Sequence, residues 1–269
     1  MGKIFDIDSP LMRGLTRLAD VMWLNILVTL FAIPLFFEQV FFLYPIYMAA
    51  TDTTQEFVLN NFIGVIMIAL FFGIICSSVL GPALTGMHYV LLKMVRDEDS
   101  YVTKSFFKSY KENFKQGAIL QMLQFMTFGV IVLDFILMRD LGGVFRYLVF
   151  AVGLIIAMAS LYIFPLLAKF ENTIPGTIKN AFLMSVLALP KTIAMLIVTV
   201  IPVVLFYFFN IKIFPLLILF GIAGPGILCA FLYNETFKRF EPKEEVLSEE
   251  EELSNAISKL DDESEQDTE

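Results

Sequence analysis

FVLNNFIGVIMIALFFGIICSSVLGPALTGMHYVLL, residues 57–92, contains no formally charged side chain. At 1.5 Å per residue a helix of that length extends about 54 Å, well beyond the ~30 Å hydrocarbon layer that about 20 apolar residues already cross. A soluble domain does not tolerate such a run, so this stretch assigns the chain to the membrane. Gly81-Pro82 divides it, because proline ends or kinks helices. The expectation is a span near 62–80 followed by an extension toward the inner surface.

Five further intervals read the same way. Spans are expected near 21–37, 117–138, 147–166, 192–210 and 213–233, with Asp134 the only acid inside the second of these. The run Val40–Ala50 contains Pro45 and is short for a crossing, which suggests a re-entrant or outer-surface segment. The expected fold is therefore all-α, a polytopic membrane helical bundle of about six transmembrane helices over residues 1–240.

Composition agrees with that reading. Of 269 residues 58% are hydrophobic and 17% charged, and the net charge of −8 is misleading as a guide to the body. Residues 241–269 carry 13 acids and two lysines, leaving the remainder at +3. That acidic stretch is too charged to bury and is expected to be a disordered cytoplasmic tail. The body shows no basic stripe of the kind that binds nucleic acid.

Cytoplasmic loops of membrane proteins retain Lys and Arg. With the N-terminus inside, 16 of the 19 basic residues fall in inner segments, and only Arg139, Arg146 and Lys212 lie outside. Both termini are therefore expected in the cytoplasm, at the cytoplasmic membrane. The first apolar run is preceded by two aspartates and lacks a small-residue cleavage site, so it is not expected to be a signal peptide.

The inner segments carry the distinctive patterns. In SPLMRGLTRLAD (9–20), Leu11, Leu15, Leu18 and Met22 recur at helical spacing, with Arg13 and Arg17 on the other side. Ser9 and Pro10 make a suitable helix start. In 102–116, Lys104, Lys108, Lys111 and Lys115 form one cationic face beside Phe106, Phe107, Tyr110 and Phe114. Lysines so placed are attracted to an anionic inner leaflet, and they could equally dock a protein. A third segment, 172–191, is more apolar, and with the first two it suggests three hairpin-like repeats, their return spans broken at Pro82, Pro165 or Pro225.

Polar groups within the spans are few. Asn25, Gln121 and Gln124 are expected to hydrogen-bond between helices. Glu171, Asn172, Asn234 and Glu235 follow broken spans at the inner boundary and are expected to cap helix ends there. Cys76 and Cys229 lie in apolar runs and form no disulfide framework. With His88 the lone histidine and no hydrolase, metalloprotease or nucleotide-binding motif, the sequence implies no catalytic residue, cofactor or metal.

Three stretches, SPLMRGLTRLAD (9–20), VLLKMVRDEDSYVTKSFFKSYKENFKQG (90–117) and FPLLAKFENTIPGTIKNAFLMSVLALPKTI (164–193), together resemble the YesL-like family of bacterial membrane proteins, a domain of unknown function. The resemblance implies a Gram-positive source and a setting near carbohydrate-uptake ABC transporters and glycoside hydrolases. It carries over no catalytic residue. The chain departs from the family pattern in its extra sequence between Phe37 and Asn61 and in its acidic tail. The expected role is an accessory or regulatory component of carbohydrate uptake that contacts transporter permease subunits. An autonomous transporter for a small solute or sugar, and a structural or lipid-organising protein, are the alternatives.

Overall fold

The computed structural model describes residues 10–51, 61–98, 101–138 and 143–241. The chain divides into two units, residues 1–235 and 236–269. The expected tail lies outside the described residues but for Glu241, as does Ser9, and the fold below is that of the first unit.

Every regular element among the described residues is helical: α1 (Pro10–Thr51), α2 (Phe62–Ser77), α3 (Leu80–Val95), α4 (Val102–Glu112), α5 (Phe114–Leu137), α6 (Gly143–Lys169), α7 (Ile174–Leu187), α8 (Leu189–Phe209), a 3₁₀ turn (Asn210–Ile213), α9 (Phe214–Phe220) and α10 (Ala223–Phe237). In hydrocarbon a backbone N–H or C=O finds no water, so a helix that satisfies its own groups is the stable solution. The helices α1, α5 and α6, with the stretch Leu189–Phe220, are long and apolar enough to cross a bilayer, and α2 with α3, bent by 47°, forms a fifth candidate. The protein is an integral membrane helical bundle. The stretch expected as a sixth span, 213–233, is divided between α9 and α10.

Helix α1 differs from the sequence reading at both ends. The amphipathic opening turn, the span from Val21 and the Val40–Ala50 run are one continuous helix, which contains Pro34 and Pro45. Each proline removes a backbone donor from a helix that is held by contacts with α2, α3, α4 and α9. Val21, Leu24, Asn25, Leu27 and Val28 form its buried stripe. Phe42 stacks on Phe72 of α2 at 5.7 Å.

The helix breaks lie beside the prolines rather than at them. Pro82 and Pro225 each occupy the third position of a new helix, where a missing N–H has no intrahelical partner to lose. The interruptions come just before, at Ser78–Val79 and Gly221–Ile222. Helix α6 runs through Pro165 without a break.

Small residues set the closest approaches. A Cβ on Gly81 would overlap the Gly117 carbonyl oxygen, and one on Gly117 would lie 2.9 Å from the Pro82 nitrogen. The starts of α3 and α5 thus meet backbone to backbone, the contact small residues permit between membrane helices. Gly73 admits the Phe125 ring in the same way, a Cβ there standing 2.6 Å from it.

Candidate functional site

Helix α4 is amphipathic, and that decides where its lysines go. Val102, Phe106 and Ser109 are buried. Phe106 packs its backbone against Gly86 of α3, whose absent side chain leaves the room. Phe31 of α1 meets Tyr110 at 4.7 Å and Phe106 at 6.0 Å between ring centres. Burial among these rings pushes the Tyr110 hydroxyl above its ordinary pKa. With one face fixed against α1 and α3, the lysines at i, i+4 and i+7 are turned outward.

They turn toward α1. Asp20, Trp23, Tyr101, Lys104, Phe107, Lys108 and Lys111 line an open groove of about 830 Å³. The Trp23 indole donates to the Thr103 hydroxyl at 2.9 Å, which fixes one wall of the groove to the first turn of α4. Tyr101 is 83% exposed at its mouth. Among the described residues none of the three lysines pairs with a carboxylate, and Asp20 is the one acid in the lining.

The other expected contact residues are placed differently. Arg17 pairs with Asp97, just beyond α3, a bond between side chains 49% and 74% exposed. Arg13 lies one turn earlier on the exposed side of α1. Lys115 belongs to α5 and is exposed outside the groove lining. The structure therefore gathers Lys104, Lys108 and Lys111 into one feature, while Arg13, Arg17 and Lys115 flank it.

The four expected boundary caps are not caps. Thr173 caps α7, its hydroxyl accepting from the Gly176 N–H at 3.3 Å. Asn172 instead accepts from the Asn180 amide at 3.3 Å. Glu171 lines a second open groove with Glu112, Asn113, Gln116 and Lys169. Asn234 and Glu235 lie inside α10, where intrahelical bonds already serve the backbone. Their side chains reach across helices, Asn234 to the Arg96 guanidinium at 2.9 Å and Glu235 to the Lys191 ammonium.

The capping work is done deeper, by Asn25. Fully buried in α1, it donates to the carbonyls of Leu217 and Ile218 at 3.2 and 2.7 Å and accepts from the Ile222 and Ala223 N–H groups at 2.7 Å each. One amide thus serves the last turn of α9 and the first of α10. Thr192 has a related role at the junction of α7 and α8, donating to Ser185 and Ala188 carbonyls and meeting the Tyr162 hydroxyl at 3.0 Å. The sequence marks Asn25 as an interhelical bonding residue but gives no sign of Thr192, because hydroxyls are common in apolar spans and nothing local distinguishes one.

No curated protein and no solved structure matches the chain. One family model does, over a segment that runs from Val21 in α1 to near the end of α5 and so contains the groove lining apart from Asp20, and both sides of the Gly81–Gly117 contact. Residues 21–135 match the model of the family described as protein of unknown function, DUF624, and the YesL-like resemblance is consistent with that match.

Proposed function

We propose that this is a non-enzymatic membrane protein that assists or regulates carbohydrate import by contacting ABC-type permease subunits at the cytoplasmic face. The supporting observation is the basic face made by α1 and α4, where Lys104, Lys108 and Lys111 stand outward around a groove, flanked by Arg13, Arg17 and Lys115. An exposed patch of one sign steers partners of the other. The carbohydrate context rests on the family resemblance alone. The orientation follows the positive-inside count, with both termini cytoplasmic.

Charge reversal tests the reading. K104E/K108E/K111E, expressed in cells that import the cognate sugar, loses co-purification of permease subunits and slows uptake while the protein remains in the membrane. Unchanged uptake together with unchanged co-purification overturns the proposal. For orientation, a single cysteine at Lys108 in a chain lacking Cys76 and Cys229 reacts with an impermeant maleimide only when the cytoplasmic side is presented.

A second reading, an autonomous transporter, draws on the interruption between α9 and α10, since discontinuous helices bind substrates in known carriers. Here the last carbonyls and first amides of that break are engaged by Asn25. Saturable flux by the purified protein in liposomes, without a partner, would favour this reading over the first.

A further inference from the structure

We propose that the groove between α1 and α4 holds the phosphate headgroup of an anionic phospholipid. Three observations converge there. Lys104, Lys108 and Lys111 rise from one wall with no carboxylate partner among the described residues, and Asp20 is the sole acid opposite them. The groove, at about 830 Å³, is of the size that admits a small ligand and is lined by apolar as well as cationic side chains, with Phe107 and Trp23 beside the ammonium groups. Its position is the decisive point: Asp20 is the last charge before the charge-free run 21–37 of α1, so the groove opens where that helix passes from polar to apolar sequence. A phosphate at the lysines leaves its glycerol and acyl chains beside Trp23 and the apolar face of α1, where amphipathic rings favour the headgroup level. Basic pockets beside spanning helices take anionic headgroups for this reason.

An acidic protein segment would satisfy the lysines but would have to carry its own backbone past the apolar rim at Trp23. A lipid supplies charge and apolar chains in the order the groove presents them. This inference rests on placing the basic face at the inner membrane surface; it does not need the transporter contact.

Trp23 is the chain's single tryptophan and is 47% exposed, so its emission reports on the groove. The full chain, purified and reconstituted in phosphatidylcholine, receives a minor fraction of either dibrominated phosphatidylglycerol or dibrominated phosphatidylcholine. Each lysine near an anionic headgroup contributes about fivefold, and three acting through one shared, partly hydrated site give quenching that favours phosphatidylglycerol by about tenfold. In K104Q/K108Q/K111Q that preference falls to near parity, while K115Q, whose lysine is exposed outside the groove, keeps it. Native mass spectrometry gives an independent readout, with anionic lipid retained by the wild type and lost from the triple variant.

Absence of a preference in the wild type overturns the inference. So does a preference that survives the triple variant, even if that variant loses its permease partner, because the groove is then a protein surface. Equal loss in K115Q would mean diffuse surface charge, and displacement by millimolar inorganic phosphate would mean a site for the free ion; either result also refutes the lipid assignment.

Discussion

Replacing Asn25 by alanine tests the central packing device of the bundle. The side chain is fully buried and makes four contacts with the backbone of the α9–α10 break. The Leu217 carbonyl also accepts from the Gly221 N–H, so it keeps a partner when Asn25 is truncated. Ile222 lies in the interruption and Ala223 opens α10, and no backbone carbonyl takes the place of Asn25 for either, so their N–H groups lose their partner. A buried donor left unpaired costs about 1–3 kcal/mol, whereas hydrogen bonds in membrane bundles average only about 0.6 kcal/mol because the chain re-pairs. Two orphaned donors in a segment anchored on both sides place the loss at about 2–4 kcal/mol. For a bundle of this size that lowers the unfolding midpoint by about 5–15 °C. Heating in mild detergent followed by size exclusion reads the midpoint directly. Leu30→Ala, on the same helix but more than half exposed, is the control. Asn25→Asp retains the acceptor and turns a second oxygen toward the carbonyls, so it is at least as damaging as alanine. A midpoint for Asn25→Ala within about 2 °C of the Leu30→Ala control would refute the argument.

Other substitutions probe separate parts of the fold. Gly81→Ala and Gly117→Ala force the starts of α3 and α5 apart and yield aggregated protein on size exclusion, while Gly64→Ala, with nothing within 4 Å of its added methyl, leaves the monodisperse fraction unchanged or raised. Thr192→Val removes a hydroxyl bonded to Tyr162, Ser185 and Ala188 and costs about 1–3 kcal/mol, seen as a lower midpoint in the same heating assay. Arg17→Gln, by contrast, changes stability by less than about 1 kcal/mol, because the Arg17–Asp97 pair is exposed on both sides. A large loss there would mean that the pair orders the segment after α3 instead of decorating it.

Helical class and membrane placement were legible because they follow from composition over long windows. Residues 57–92 exclude a soluble fold whatever their partners. The amphipathic character of α4 was equally local: lysines at i, i+4 and i+7 define a face before any neighbour is known. What that face borders was not local. The groove exists because Trp23 and Asp20 of α1 stand opposite Lys104, about eighty positions away, and no periodicity reports that pairing. The helix ends were misread for a related reason. A polar pair that follows a proline-broken span looks like a cap in one dimension, yet Asn234 and Glu235 fall inside α10, and the residue that completes the α9–α10 break comes from α1, almost two hundred positions earlier.

The two kinds of helix interruption here point to different mechanical behaviour. At Gly81–Gly117 the break is secured by van der Waals contact between backbones, which tolerates no added atom and permits little rearrangement. At the α9–α10 break it is secured by one amide that a rotamer change can withdraw, releasing donors and acceptors on two helices at once. A bundle that changes shape when a partner docks would therefore move at α9–α10 before it moved at α2–α3. Hydrogen exchange separates the two sites: the Ile222 and Ala223 amides exchange faster than those after Gly81 in the wild type, and the gap widens in Asn25→Ala. Equal protection at both breaks would mean that Asn25 is as rigid a fastening as the glycine contact, and the α9–α10 junction would lose its claim to be the mobile element.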